Sequence, residues 1–358
     1  MKALPLLIAA TLPVTAAEIG AVAHPEEKLS STQTVVWTPL FQASWDKLNA
    51  THGGKPLKVD PPNKLISRLD TFTWKPESVM PEDRWKVWSG PPTDEFLAEV
   101  NKEAAKITGE QEGPFRLENR RPGTVVVFGL LDRQVTFRKV LHRSRKVPMA
   151  FRSGDTATNV QYFGVKGELS KEFSDTIRVL AYRPSENCHA LQMLCNESDD
   201  TVILFRPPTG KAMDFSTACE WIRTWRKTWT ENSRKGLGHD DPTLHKRDEI
   251  QVPYVKLEAK KDFTSDLASL RFYKDQPLPR QISRAEQRVE FELHERGARA
   301  RAEVSMDDPF ASAPAEPPVY PRRFLYDAPF FVFLWRDGAE LPYFGTWVGD
   351  TAAMKPFK

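Results

Sequence analysis

The chain has 358 residues, 51 Lys and Arg against 48 Asp and Glu, a formal charge of +3 and 28% charged residues. A balance this near neutral gives no reason to expect a polyanionic partner, while 40% hydrophobic residues, with 21 Phe and 10 Trp, suffice for a large buried core. Three cysteines, Cys188, Cys195 and Cys219, exclude a disulfide scaffold: the first two lie on one extended segment, too far apart to bond if it stays straight, so buried free thiols are expected.

Met1 to Ala16 has a basic start at Lys2, a short apolar run and a small-residue end, and reads as a secretory signal cleaved after Ala16. The apolar run is shorter than the ~20 residues that a membrane span needs, and no later segment is apolar enough to cross. Residues 17–34 are polar and read as loosely held. A short helix follows Pro39, with Phe41, Ala43, Trp45 and Leu48, and ends at Gly53-Gly54. Residues 55–95, rich in Pro and Trp, carry no clear period. Glu95 to Ile107 reads as a helix with Phe96, Leu97, Val100 and Ala104 on one face. The continuous apolar run Val125–Leu131 predicts a fully buried strand. Strands dominate through residue 205, and a helix over 214–229 carries Trp221, Trp225 and Trp229 at every fourth position. That stripe could stack on nucleic acid, but it reads as a helix packing its aromatic face on a sheet. Strands resume from 250. This mixed order, without linker or repeat, argues for an α+β fold in one domain, residues 17–358.

Residues 289–304 are the most informative stretch. Val289, Phe291 and Leu293 alternate with Glu290, Glu292 and His294, which predicts a half-buried strand. Gly297 then gives a backbone joint. Alternation resumes with small residues, Ala298, Ala300, Ala302 and Val304, interleaved with Arg299, Arg301 and Glu303. The segment then runs into an exposed stretch rich in Pro and Ala. A sequence written as both strand and loop suggests a strand that inserts conditionally.

Catalysis finds no support. His239 and His245 could be drawn as a metal pair, but they sit in a turn-rich stretch without a cysteine or helical spacing, and read as a solvated loop. No nucleophile elbow or phosphate loop appears. The cluster Arg138-Lys139, His142-Arg143 and Arg145-Lys146 is dense enough to attract a sulfated or phosphorylated polymer, yet reads as a solvated turn.

Glu295, Gly297, Ala300 and Ala302 occupy the positions of the hinge Glu-x-Gly-x-x-Ala-x-Ala, and here the chain resembles the serpin family. The resemblance extends to Phe324, Asp327-Ala328-Pro329-Phe330, Phe331–Asp337 and Tyr343–Val348 downstream. Upstream it extends to Val252–Glu258 with Asp262-Phe263, and to Cys188–Gln192 with Thr201–Pro207. It covers residue 120 to the end, and before that rests mostly on Thr38-Pro39-Leu40, so the N-terminal helical half reads as shortened. The resemblance implies three β-sheets with surrounding helices and a reactive loop at about 298–323.

By the same resemblance the protein is a secreted inhibitor, extracellular or periplasmic, of a serine or cysteine protease. It would act as a suicide substrate by loop cleavage and insertion, with Glu295, Gly297, Ala298, Ala300, Ala302 and Val304 as the hinge. The rival reading is a non-inhibitory serpin-fold binding or carrier protein. The family's spacing, counted from Glu295, puts the cleaved bond at Ala311-Ser312, which suits an elastase- or subtilisin-like pocket. Pro309, Pro314, Pro317, Pro318 and Pro321 make insertion past about Asp308 poor. Where the family carries a polar network that guards sheet opening, this chain has Phe41, Phe128 or Gly129, and Gln287, with Tyr254 opposite Glu295 in place of a Lys. The inhibitor is expected to be a monomer with no cofactor, no metal, no nucleic acid and no membrane partner.

Overall fold

The apolar runs 188–194, 200–206 and 330–336 form neighbouring strands of one seven-stranded sheet around which the rest of the chain is arranged. The structure is a computed structural model that describes residues 19–54, 57–117, 124–144, 146–197, 199–232, 242–273, 279–298 and 321–357.

Strand β1 (Gly20–Val22) pairs in parallel with β2 (Val35–Trp37). Residues 17–34 are therefore not all loosely held. Ala21 to His24 are buried because a short apolar triplet completes the sheet edge, and the Glu27 side chain accepts from the Ala23 and His24 N–H groups at 3.1 Å each. Pro39 opens α1 (Leu40–Thr51), which stops before Gly53 and Gly54, both at positive φ. The stretch without a period holds β3 (Lys58–Asp60), α2 (Lys64–Thr71), α3 (Pro76–Val79) and β4 (Trp85–Gly90). Helix α4 (Asp94–Thr108) is capped by Thr93, whose hydroxyl accepts from the Phe96 N–H at 3.2 Å, and ends at Gly109 with φ +75°.

Strand β5 (Val126–Leu131) is only half-buried at every position. The expected burial fails because its one strand partner is β4. Its apolar faces are covered by helices instead: Phe128 and Leu130 pack with Val100 and Ala104 of α4, and Gly129 lies against Leu40 and Ser44 of α1. Then follow β6 (Val135–Thr136), β7 (His142–Arg143), the hairpin β8 (Met149–Ser153) and β9 (Thr156–Val160), and β10 (Tyr162–Val165). Next come β11 (Ile177–Arg183), β12 (Cys188–Leu194), β13 (Asp200–Arg206) and α5 (Phe215–Asn232). The last elements are β14 (Glu249–Pro253), β15 (Val255–Asp262), β16 (Leu270–Phe272), β17 (Glu286–His294), β18 (Gly297–Ala298), β19 (Arg323–Leu325), β20 (Phe330–Arg336) and β21 (Phe344–Val348).

The large sheet runs β1-β2-β21-β20-β13-β12-β11. Its central strands are covered on both faces, which is why they read as largely apolar runs, with His189, Gln192 and Thr201 as buried polar exceptions. Ala190, Ile203, Phe205, Phe331 and Phe333 meet Phe215, Ala218 and Ile222 of α5, while Leu191, Val202, Leu204, Val332 and Leu334 face the main core. Trp221 and Trp225 pack on Phe205 at ring distances of 6.1 and 5.2 Å, so the tryptophan stripe is a packing face. Two four-stranded sheets, β19-β14-β10-β7 and β15-β17-β18-β6, and three two-stranded ribbons complete the α+β architecture.

All three cysteines are free and buried, and burial pushes the Cys188 thiol up to about 11. Among the described residues no helix is long and apolar enough to cross a membrane, and no group of His, Cys, Asp and Glu could hold a metal.

Phe331 sits at the centre of the aromatic core, with Trp347, Phe333, Phe215 and Phe205 at 4.7, 5.6, 5.6 and 5.8 Å. Phe331→Ala should destabilise the protein by about 3–5 kcal/mol in urea unfolding. Val147→Ala, at a side chain that is already 59% exposed, should stay within about 0.5 kcal/mol.

Candidate functional site

Strand β17 is held on one edge only. Its ladder with β15 runs from Val255 opposite Leu293 to Asp262 opposite Glu286. Phe291 and Leu293 are buried, Phe291 stacking on Phe344 at 4.5 Å, while Glu290 is exposed. On the other edge the only partners are Ala298 opposite Leu293 and Gly297 opposite His294. Those two residues, β18, pair in turn with Val135 and Thr136 of β6. Below them, residues 286–292 of β17 face no strand among the described residues, and β5 pairs only with β4. Gly297–Ala298 therefore lie at the head of an edge that, among the described residues, has no further strand partner.

The reversal from β17 to β18 depends on Gly297. Its φ is +149°, and a Cβ there would lie 2.2 Å from the Val135 carbonyl oxygen. Backbone bonds fix the turn: the Phe137 N–H donates to the Arg296 carbonyl at 2.7 Å and the Leu141 N–H to the Glu295 carbonyl at 2.9 Å. The Arg296 N–H also donates to His294 Nδ1 at 3.2 Å.

Glu295 is buried beneath this turn. Its carboxylate accepts from Arg143 Nε at 2.7 Å and Nη2 at 2.5 Å, and from the Tyr254 hydroxyl at 3.0 Å. Burial pushes the carboxyl up, but the Arg143 bonds, its own backbone N–H and Tyr254 outweigh this and hold it below the usual carboxylate range. Tyr254 is itself braced edge-on by Phe163 at 5.2 Å. The basic cluster that held Arg143 in sequence is thus not a free cationic patch. Lys139 pairs with Glu172 at 2.8 Å and Arg138 Nε donates to the Cys195 carbonyl at 3.1 Å. Arg143 as the partner of Glu295 was missed in the sequence, because the two lie far apart in the chain and only the cluster's charge density marked it.

At the positions of the family's polar network the contacts are apolar. Phe41 packs on Phe263 at 4.7 Å, and Phe128 on Phe115 at 4.8 Å. Gly129 packs closely on α1, where a Cβ would lie 2.7 Å from Ser44 Oγ and 3.3 Å from Leu40, so Ser44 would have to turn aside to admit one. Gln287 is left buried with neither amide atom hydrogen-bonded. At the far end of the loop, Arg322 pairs with buried Asp248 at 2.6 Å and Arg323 with Glu249 at 3.1 Å, and Phe324 is fully buried. Ala298 is buried. Ala300, Ala302, Val304, the expected bond Ala311-Ser312, His239 and the leader 1–16 lie outside the described residues.

Glu295→Gln should lower stability at pH 7 by about 1–3 kcal/mol, less than for a fully buried pair because Arg143 is partly solvated. The depressed carboxyl contributes stability above the unfolded-state value near 4.5, and that stability is lost as pH falls through the lower folded value. Thermal unfolding should therefore show the gap between wild type and Glu295→Gln closing below pH 4.

No protein-family model matches the sequence, and no curated protein sequence matches it significantly. Among solved structures, human glycosylated kallistatin, a serpin, aligns with a TM-score of 0.51 at 14% identity over 90% of this chain and 92% of that one. Thyroxine-binding globulin in complex with thyroxine aligns with a TM-score of 0.47 at 12% identity, over 89% of this chain and 93% of that one. At 14% identity the likeness to kallistatin is one of architecture, and with the sheet arrangement it establishes that the protein has the serpin fold.

Proposed function

We propose that the protein inhibits a serine or cysteine protease as a suicide substrate, the cut loop inserting beside β17 as a new strand. The observation that supports this best is the register of the hinge. Continuing the antiparallel pairing beyond Leu293 opposite Ala298 sets Ala300 against Phe291, Ala302 against Val289 and Val304 against Gln287, all on the inward side. On the outward side Arg299 meets Glu292, Arg301 meets Glu290 and Glu303 meets Arg288.

Every outward pair joins opposite charges, and no inward position carries one. At present Glu290 stands opposite Glu258 in the β15 ladder, with Arg288 bonded to both at 2.9 and 2.8 Å. Arrival of Arg301 would relieve that like-charge pair. Exposed cross-strand pairs contribute only about 0.2–1 kcal/mol each. They set the register, while the backbone ladder and the burial of three small side chains drive insertion. Six extended residues, 299–304, cover about 20 Å, close to the length of the unoccupied β17 edge.

The expected bait, Ala311-Ser312, presents a small residue before the cut and fits an elastase- or subtilisin-like pocket. The N-terminal segment, read as an export signal, would place the protein where such enzymes act. A binding or carrier protein is the second reading. It is favoured by the separation of β5 from β17, because insertion releases less from a sheet that is already parted.

Incubation with elastase or subtilisin should give a complex stable in SDS, with the cut mapped to Ala311-Ser312 by mass spectrometry. Trypsin should give none. Arg301→Glu should slow complex formation up to about fivefold, and adding Glu290→Arg should restore it. Ala300→Arg should turn the inhibitor into a substrate, since insertion would bury an unpaired charge. Loop cleavage without any complex by every enzyme tried would leave the carrier reading.

A further inference from the structure

The strand that receives the far end of the loop rests on a buried histidine. Strand β19 is an edge strand, paired in parallel with β14 through three residues, Arg323 to Leu325. Its buried Phe324 and the following Tyr326 both pack edge-on against the His189 ring, at 5.7 and 4.8 Å. His189 itself is 4% exposed, and its Nε2 has no hydrogen-bond partner.

Charged and titratable groups approach the ring from several elements. From β13, Arg206 stands directly opposite His189 in the ladder and spends its guanidinium on the Leu325 carbonyl at 2.6 Å and on the Asp327 carboxylate. From β11, Tyr182 pairs with His189 and accepts the Arg323 N–H at 3.1 Å. From the incoming segment, the Tyr326 hydroxyl donates to the Leu204 carbonyl at 3.1 Å. Cys188, the neighbour on β12, is a buried neutral thiol. Asp248 and Glu249, at and beside the start of β14, are taken up by Arg322 and Arg323 on the outer side of the strand. Asp327 is held by Arg206, so a charged imidazole would face the Arg206 guanidinium across an apolar contact.

We propose that β19 is an acid-released clasp: protonation of His189 expels the Phe324 and Tyr326 rings and frees residues 322–326 from β14. The proposal does not depend on protease inhibition. Burial and the Arg206 charge lower His189 from 6.5 to about 3 in the closed state, whereas the opened ring titrates at its ordinary value. The closed clasp is therefore at full strength above pH 6.5 and weakens as pH falls from there towards 3. At pH 5 opening is favoured about thirtyfold over pH 8. Burial pushes Glu249 up, but the Gln251 amide, Lys166 and Arg323 outweigh this and hold it below its usual range, so its titration does not drive the release; its ion pair with Arg323 opposes release and parts when β19 leaves β14.

Hydrogen–deuterium exchange of the full chain, corrected for intrinsic chemistry, tests this. Amides of 322–326 should open about thirtyfold more often at pH 5 than at pH 8, beginning near pH 6.5 and rising about tenfold per unit, while those of 201–205 hold their protection. His189→Phe should remove the dependence. Equal protection of 322–326 at both pH values overturns the proposal, as does an onset only below pH 5, the signature of a carboxylate. Retention of the full effect in His189→Phe also overturns it, and the onset in wild type decides the matter if that variant does not fold.

Discussion

A Cβ at residue 297 would lie 2.2 Å from the Val135 carbonyl oxygen, and the backbone there has a φ of +149°. Only glycine fits both conditions. This one close approach lets the chain turn back from β17 and lay Ala298 between β17 and β6. Without it, the segment after Glu295 would leave the sheet, and the register proposed for 299–304 beside β17 would have no origin. The Glu295–Arg143–Tyr254 group below the turn holds this origin in place by pairing a buried carboxylate.

Two segments of different character flank residues 299–320 in the chain. The near anchor is covalent geometry reinforced by a charge pair, and little short of substitution alters it. The far anchor, β19, is a three-residue edge strand braced by outer ion pairs and by aromatic packing on an uncharged histidine. The contrast fits the insertion proposed above, in which the near end would keep its register while the far end moves. It also separates the functional region from the seven-stranded sheet, whose core of Phe205, Phe331, Phe333 and Trp347 supplies the stability against which any rearrangement acts.

Much of this was legible in the sequence because it is local. The alternation of 289–293, the small inward residues after Gly297, the Trp stripe of α5 and the buried thiols all follow from periodicity or composition, and the structure agrees wherever it describes them. What failed was non-local. Residues 17–34 looked polar in aggregate, yet Gly20–Val22 finds a sheet edge supplied by Val35–Trp37. The run 126–131 looked fully buried because apolar residues are equally needed under helices, and periodicity cannot distinguish a covering helix from a neighbouring strand. Arg143 was visible only as one charge among several, since nothing in a sequence ties residue 143 to residue 295.

The proposed insertion requires that the segment after Ala298 can take a strand position beside β17. The most direct measurement is the thermal transition before and after a protease nicks the chain once within residues 305–321. Insertion adds a backbone ladder and buries side chains now outside the sheet, so the nicked protein should melt well above the intact one. An unchanged or lowered transition after a clean single cut would mean that nothing inserts, and would contradict the account.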